Sequence, residues 1–176
     1  MNGLKISPYI SAEQIQQKVS EIAAQLSQEF RQETLVAICV LKGSIMFYSD
    51  LIRRIDGDVQ CEFFGVASYH DATTSSGEVK VTLDLTRPIE GQHVLLVEDI
   101  VDTGLTLNYL KANLLARKPK SLTTVVLLEK PEALKVKCDV DHVGFKIRND
   151  FVVGYGLDYQ GLYRNLPYIA LVQDLQ

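Results

Sequence analysis

The 176-residue sequence has few cysteines and no excess of basic residues. Cys39, Cys61 and Cys138 are odd in number and widely spaced, which excludes an even disulfide framework and a zinc-type spacing, so we expect buried free thiols in a reducing compartment. The net charge of −4 argues against nucleic acid or an anionic membrane surface as a partner. The sequence also lacks an apolar run of about 20 residues and a start like that of a signal peptide. We therefore expect a cytoplasmic protein that neither crosses a membrane nor binds nucleic acid.

Internal repeats and linker-like segments are also absent. The apolar and charged fractions, 47% and 23%, are typical of a globular protein. A chain of this length suits one domain that buries roughly 70% of its unfolded-chain surface. We therefore expect residues 1–176 to form a single domain.

The periodicity of apolar residues predicts two early helices. The first begins at "SAEQ", where Ser11 and Gln14 form a capping-box pattern. The second covers about residues 45–55, with Met46, Leu51 and Ile52 expected to point inward. The residues of the first helix that fall on one apolar face are Ile15, Val19, Ile22, Ala23, Leu26 and Phe30.

Continuous apolar runs alternate with the helices further along the chain. The runs at 34–41, 93–97 and 121–128 predict buried strands, and a third helix is expected at about 103–116. This alternation predicts an α/β fold with a mainly parallel, twisted sheet flanked by helices. Two further strands are expected at 59–68 and 79–85. We expect about residues 34–142 to form the core. The N-terminal residues and about residues 143–176 are expected to form a small hood at the carboxyl edge of the sheet.

Polar residues cluster where the predicted strands end. Lys42, Gly43 and Ser44 follow one strand, Glu98 to Thr106 follow another, and Glu129 and Lys130 follow a third. Ligands of such sheets bind beyond the carboxyl ends of the strands. We therefore expect one site at this edge.

The segment "VLLVEDIVDTGLTL" (94–107) combines a buried strand, three acids and a glycine turn that opens a helix. Gly104 permits close approach of the backbone, and Thr103 and Thr106 add hydroxyl donors, which favours a phosphate at the helix N-terminus. The segment has neither the lysine-containing ending of a Walker loop nor a G-x-G-x-x-G pattern. The simpler interpretation is an Asp-Thr helix cap with a turn glycine.

The acids next to this turn argue against a simple cap. Glu98 and Asp99 would repel a bound phosphate unless they hold something else, such as sugar hydroxyls or a divalent cation. Asp102 should point away from the phosphate, towards whatever is attached near the sugar. A carboxylate at that position is a candidate general base.

These residues resemble the phosphoribosyl pyrophosphate signature of the type I phosphoribosyltransferases. Three further segments are similar to the branch of this family that acts on hypoxanthine and guanine, in the same order along the chain as in that branch. They are "VLKGS" (40–44), "LLEKP" (127–131) and "FVVGYGLDYQGLYRNLPYI" (151–169), and "VASYHD" (66–71) is similar to the start of the mobile lid of that family. The resemblance extends from about residue 34 to the C-terminus.

The resemblance implies how phosphoribosyl pyrophosphate is bound. The loop after the first strand would receive the pyrophosphate, with a cis peptide bond between Leu41 and Lys42, and the lid would close over it. Asp102 would be the catalytic residue. The implied phosphoribosyl pyrophosphate-binding residues are Leu41, Lys42, Gly43, Ser68, Tyr69, Glu98, Asp99, Asp102, Thr103, Gly104, Leu105, Thr106 and Arg164.

The resemblance also implies a 6-oxopurine as the second substrate and Mg²⁺ as the cofactor. Lys130 would donate to the purine oxo group, Phe151 would stack on the base, and the Val152 backbone would contact its edge. Asp158 would lie near the base and, with Glu98 and Asp99, would bind the metal. A homodimer or homotetramer that buries the face of the 44–55 helix is also expected.

Two features depart from the family pattern. "EAL" (132–134) stands where many relatives have basic residues after Lys130 and Pro131, and Leu105 stands where some relatives have a polar or basic residue. Two alternatives remain open from the sequence: a sister transferase that acts on xanthine or a pyrimidine, and a non-catalytic nucleotide-sensing regulator on the same fold.

Overall fold

The computed structural model describes residues 4–68 and 79–173, which form two sheets and three α-helices. A short 3-10 helix, Pro131–Ala133, follows β6. The elements are β1 (Lys5–Ile10), α1 (Ala12–Glu29), β2 (Leu35–Leu41), α2 (Ile45–Ile52), β3 (Val59–Ser68), β4 (Val79–Leu83), β5 (His93–Val101), α3 (Leu105–Leu115), β6 (Ser121–Glu129), β7 (His142–Lys146), β8 (Val152–Val153) and β9 (Ile169–Gln173).

The larger sheet has six strands in the order β4-β3-β2-β5-β6-β7. All neighbouring strands are parallel except β3 and β4, which are antiparallel. The chain builds outward from β2 on one side and from β5 on the other, so the strand order reverses between these two strands. Ligand sites of open α/β sheets lie at such a reversal.

Alternate side chains of β2 explain why helices cover both faces of the sheet. Leu35, Ala37 and Cys39 pack in the core with α1 and α2, whereas Val36 and Ile38 pack in the core with α3. A strand buried on both faces has no polar position, which accounts for its continuous apolar sequence. The predicted mainly parallel α/β fold is confirmed.

The first helix agrees with its predicted sequence signals. The Ser11 hydroxyl accepts from the Gln14 backbone at 3.2 Å, and the Gln14 side chain accepts from the Ser11 backbone at 2.9 Å, which completes the capping box. All six predicted apolar residues are buried, although the last of them, Phe30, is the C-cap residue that follows α1.

The second helix is shorter than predicted, and a different set of its side chains faces the core. It ends at Ile52, and Phe47, Tyr48 and Leu51 are its buried residues. Met46 was predicted to point inward but is 39% exposed, and Ile52 is only partly buried. Because so short a helix has only about two turns, its apolar sequence leaves the orientation ambiguous.

Three further predictions are corrected by the structure. Strand β5 continues through Glu98 and Asp99 to Val101 because β6 pairs with it along that length, so both acids lie within the strand. Strand β7 pairs with β6 in the larger sheet, although "VGFKI" was assigned to the hood. Cys61 was expected to be buried but is exposed, while Cys39 and Cys138 are buried free thiols.

The hood is a three-stranded antiparallel sheet in the order β1-β9-β8. It joins the first strand of the chain to the last two, together with the turns between β8 and β9. None of the helices in residues 4–68 and 79–173 is both long enough and apolar enough to cross a bilayer.

Candidate active site

The end of β5 places two adjacent carboxylates at the carboxyl edge of the sheet. Glu98 is buried and Asp99 is partly buried. The Asp99 carboxylate accepts from the Ile100 backbone at 2.8 Å. Neither acid forms an ion pair with a described residue. A buried and a partly buried acid without a basic partner indicate a functional site rather than a structural ion pair.

Burial raises the pKa values of both acids, and the charge of another carboxylate, Asp99 for Glu98 and Asp158 for Asp99, adds to each shift. Desolvation, together with the charge of Asp99, raises the pKa of Glu98 well above its usual range. Desolvation raises the pKa of Asp99 to about 6, against the opposing effects of backbone N–H groups and Arg164. Such shifts are typical of functional sites.

The turn after β5 forms an open cradle at the start of α3. Gly104 is the N-cap residue of α3, and its φ of +81° lies in the left-handed region that glycine adopts readily. A side chain at Gly104 would crowd Val136 and Cys138, which pack against the turn. The cavity here has a volume of about 370 Å³ and is lined by Glu98, Asp99, Ile100, Val101, Asp102, Thr103, Gly104, Thr106 and Leu107.

A cavity therefore lies at the turn where the cradle was predicted, although α3 begins at Leu105 and not at Thr103. Thr103 and Thr106 are partly buried, and the Leu105 side chain is 41% exposed. The Leu105 backbone is close enough to the Thr103 hydroxyl to donate to it, at 3.4 Å. Leu105, which was predicted as a binding residue, is not among the residues that line the cavity.

The loop after β2 approaches the same acids. The Leu41–Lys42 peptide bond is cis, as the resemblance implied, and Lys42 is exposed. A Cβ on Gly43 would overlap the Asp99 carboxylate, so only glycine allows the loop to lie this close to β5. The neighbouring ends of β2 and β5 thus form one edge of the site.

A second, smaller cavity of about 170 Å³ adjoins the first and shares Asp99, Ile100 and Asp102 with it. Its remaining lining residues are Lys130, Phe151, Val152, Leu157 and Asp158. The structure therefore brings together all four predicted purine-binding residues.

Asp102 and Lys130 face each other between the two cavities. The Lys130 Nζ atom lies 3.4 Å from the Asp102 Oδ2 atom. The Lys130 residue is only 6% exposed, whereas the Asp102 side chain is 50% exposed. Because Lys130 is an ammonium with donors only, one donor can serve Asp102 while the others remain for a ligand in the smaller cavity.

The hood supplies the opposite wall of the smaller cavity. The Val172 N–H donates to the Phe151 carbonyl at 2.9 Å. In an antiparallel ladder hydrogen-bonded and non-bonded pairs alternate, so the next residue, Val152, directs its N–H and C=O away from β9. Val152 is also among the residues that line the smaller cavity.

Phe151 presents an aromatic ring beside this backbone. The ring is 39% exposed and packs edge to face against Tyr159, with 5.9 Å between the ring centroids. An exposed face of a fixed ring is suited to stacking on a planar ligand.

Asp158 and Arg164 pair with each other inside the hood. The Arg164 guanidinium lies 2.5 Å from the Asp158 carboxylate and also donates to the Gly156 carbonyl. The Gly161 backbone donates to the second oxygen of Asp158 at 2.7 Å. Arg164 was predicted to bind pyrophosphate, and in the structure part of its donor fork is occupied by the hood itself.

The carboxylates of the site fit magnesium only if a bound substrate supplies further oxygen ligands. In residues 4–68 and 79–173 no three Asp, Glu, His or Cys side chains form a ready-made metal cluster. Magnesium in phosphate-handling sites is usually bound through one or two carboxylates plus substrate oxygens and water. The adjacent Glu98 and Asp99 beside an anion cradle fit that pattern.

Some predicted residues cannot be placed, and others were missed. Ser68 is the last residue of β3, while Tyr69 and the predicted lid, 69–78, lie outside the described residues.

Ile100 and Leu157 line the cavities but were not predicted. Tyr159, which supports the Phe151 ring, was also missed. Apolar and aromatic residues of this kind carry no signal that separates a pocket wall from the core.

With this geometry established, comparison with known proteins defines the class. The family model of the phosphoribosyl transferase domain matches residues 10–160. The chain belongs to the phosphoribosyl transferase family.

Individual members of this family show which branch the chain resembles in sequence and structure. The chain is 48% identical over 164 residues to the hypoxanthine-guanine phosphoribosyltransferase of Bacillus subtilis (strain 168), covering 93% of this chain and 91% of that protein. It is 47% identical over 170 residues to the enzyme of the same name from Mycobacterium bovis, covering 93% and 84%. A crystal structure of a hypoxanthine-guanine phosphoribosyltransferase from Bacillus anthracis, with HEPES in the active site, superposes with a TM-score of 0.91 at 46% identity, covering 97% of this chain and all of that one.

The raised pKa of Asp99 predicts a pH-dependent stability. Between its ordinary value of 3.8 and about 6 the unfolded chain loses this proton while the folded protein retains it, so the free energy of unfolding falls as pH rises. Asp99→Asn should therefore stabilise the cation-free protein at pH 8 by about 1–3 kcal/mol, and little at pH 4. Urea unfolding at both pH values measures this.

The matched control is Glu90→Gln, which removes an exposed carboxylate. It should leave the free energy of unfolding nearly unchanged at both pH values. An equal gain from Asp99→Asn at pH 4 and pH 8 would contradict the titration of Asp99 as its cause.

Proposed function

We propose that this protein transfers the 5-phosphoribosyl group from phosphoribosyl pyrophosphate to hypoxanthine or guanine, giving IMP or GMP and pyrophosphate in purine salvage. The observation that carries the proposal is the wall shared by the two cavities: an anion cradle on one side and a base-sized pocket on the other meet at Asp102. A substrate spanning both would place its reacting carbon at this wall.

In this proposal the cradle holds the 5-phosphate. The α3 N-terminus and the Thr103 and Thr106 hydroxyls supply donors to it. The ribose lies over Glu98 and Asp99, and the pyrophosphate lies against the loop formed by Leu41, Lys42 and Gly43. Ser68 and Tyr69 are proposed to close over the pyrophosphate.

The base lies between Phe151 and Lys130. The Phe151 ring stacks on it, the Val152 backbone binds its edge, and Lys130 donates to the 6-oxo group. Asp158 lines the same pocket. Because every hydrogen of the buried ammonium is a donor, a 6-amino group would leave two donors facing each other.

The reaction breaks the bond between the anomeric carbon and the pyrophosphate oxygen and forms a bond from that carbon to a purine nitrogen. Positive charge develops on the ribose in the transition state, and the carboxylates of Glu98, Asp99 and Asp102 stabilise it. The proton on ring nitrogen 7 of the base passes to Asp102, whose half-exposed side chain can release it to solvent.

We also propose Mg²⁺ as the cofactor, held by Glu98 and Asp99 with Asp158 close to the base. When bound it neutralises the negative charge that accumulates on the leaving pyrophosphate. The absence of a complete protein-built cluster in the described part of the chain fits a metal that binds together with the substrate.

The remaining parts of the proposal concern assembly and compartment. The outer face of α2 exposes Met46, and Phe63 on β3 is 38% exposed, which supports a homodimer or homotetramer that buries this surface. Sedimentation at several protein concentrations tests this. A free, exposed thiol at Cys61 supports a reducing cytoplasm as the compartment.

The decisive experiment compares initial rates with hypoxanthine, guanine, xanthine, adenine and a pyrimidine base. We expect the two named 6-oxopurines to react and adenine to fail, since an unpaired donor in a desolvated pocket costs about 1–3 kcal/mol and more when charged. Lys130→Met should lower the rate with guanine without creating use of adenine. Efficient adenine use by the unmodified protein would refute the role of Lys130.

Asp102→Asn tests the proton transfer. The amide keeps the shape of the side chain but cannot accept the proton, so turnover should fall by about 10²–10⁴. Binding of phosphoribosyl pyrophosphate, measured by calorimetry, should persist. Unchanged turnover would remove Asp102 from the mechanism.

The metal proposal is tested by Glu98→Gln combined with Asp99→Asn. This pair keeps the side-chain sizes and removes both charges, so affinity for Mg²⁺ in the presence of phosphoribosyl pyrophosphate should drop at least tenfold. Calorimetric titration with the metal measures this. Equal metal affinity in the double variant and the unmodified protein would assign the metal to substrate oxygens alone.

A further inference from the structure

A buried tyrosine links the hood to the second helix. Tyr155 is 5% exposed, and its hydroxyl donates to the Asp50 Oδ2 atom at 2.7 Å. Tyr155 lies in the hood turn that follows β8, two residues before Leu157, which lines the smaller cavity, here called the base pocket. Asp50 lies in α2. Neither residue lines either cavity of the site. This hydrogen bond therefore connects the hood turn to α2 without contacting either cavity.

Asp50 is held in place by several partners. The Gln16 side chain of α1 donates to its Oδ2 atom at 2.8 Å, and Arg53 forms an ion pair with its Oδ1 atom. Burial acts to raise the pKa of Asp50, but hydrogen bonds from Gln16, Tyr155 and Arg53 lower it overall. Desolvation raises the pKa of Tyr155, so its hydroxyl stays protonated as the donor. A charged acceptor and a neutral donor form a strong hydrogen bond.

The hood end of this link leads directly into the base pocket. Gly154 and Leu157 exchange two backbone hydrogen bonds, at 3.0 and 3.1 Å, around Tyr155 and Gly156. The Tyr155 N–H donates to the Leu166 carbonyl at 2.9 Å. The turn is thus a rigid unit, and its next residues, Leu157 and Asp158, line the base pocket.

The other end leads to the loop after β2. Helix α2 begins at Ile45, directly after Lys42, Gly43 and Ser44, and the Tyr48 N–H donates to the Ser44 carbonyl at 2.8 Å. The hood turn also touches this loop, because a Cβ on Gly156 would overlap the Gly43 carbonyl. Loop and turn therefore meet at one point of contact and are tied at a second by Tyr155 and Asp50.

We propose that Asp50 and Tyr155 are positioning residues, whose hydrogen bond sets the base pocket in register with the loop that receives the pyrophosphate. This inference rests on the proposed function, since the two halves need to be aligned only if a group passes between them. Displacing reacting groups by about 1 Å can cost about a hundredfold in rate. The link acts on the alignment of two bound substrates and does not contact either.

Tyr155→Phe removes only the hydroxyl and tests this directly. We expect kcat to fall about 10- to 100-fold, while KM for each substrate changes less than about threefold, because each half of the site remains intact. Asp50→Asn should act in the same direction. The double variant should be no slower than the slower single variant, since both changes break one bond.

Ser7→Ala is the matched control, because it removes another hood hydrogen bond, from the Gln173 side chain at 3.0 Å, away from the site. It should leave kcat and KM unchanged. Thermal unfolding of all variants confirms that rates are compared between folded proteins. A kcat of Tyr155→Phe within twofold of the unmodified protein, or multiplying losses in the double variant, would overturn the inference. An unmodified protein that lacks transferase activity would instead refute the proposed function.

Discussion

The parallel pairing of β2 with β5 is the constraint on which the site depends. Strand order reverses between these two strands, so the connections that follow them leave in opposite directions and open a crevice at their carboxyl ends. The loop at Lys42 and Gly43 forms one side of this crevice, and the acids and glycine turn after β5 form the other. A glycine at position 43 is needed because the Asp99 carboxylate occupies the space of a side chain.

This arrangement carries a cost in stability. Glu98 and Asp99 continue β5 into the crevice, and their burial side by side raises the pKa values of both. No described basic side chain pairs with them, although Arg164 exerts a favourable charge effect on Asp99. In the proposed function, a bound cation or a positively charged transition state would offset this electrostatic cost, which is a usual property of preorganised sites. The large apolar core on both faces of the sheet supplies the stability that permits it.

The hood completes the site from the opposite direction. It provides the Phe151 ring and the Val152 backbone, which face Lys130 and Asp102 across the smaller cavity. Because the hood is a separate sheet, its placement relative to the main sheet requires contacts between the two. The Tyr155 hydrogen bond and the close packing of Gly156 on Gly43 are two such contacts, and both lie directly behind the site.

Much of this organisation could be predicted from local patterns. The capping box of α1, the doubly buried strands and the glycine turn after β5 each depend on neighbouring residues, whose spacing is visible in the chain. Less could be predicted about Met46 and Phe47, since nearly every position of α2 is apolar and burial depends on which neighbours the helix meets. Likewise, the exposure of Cys61 on β3 depends on how much of that strand α2 covers.

The sequence by itself determined the chemistry available at each strand end and the order in which those ends follow one another, because side-chain type and periodicity are local properties. Only the tertiary structure decided which ends meet. Strand β7 joined the large sheet and not the hood because pairing with β6 satisfies its backbone. Lys130 reached Asp102 because β5 and β6 are adjacent and in register at Val101 and Glu129. The bond between Tyr155 and Asp50, 105 residues apart in the chain, has no local pattern, since it exists only after the hood has folded over α2.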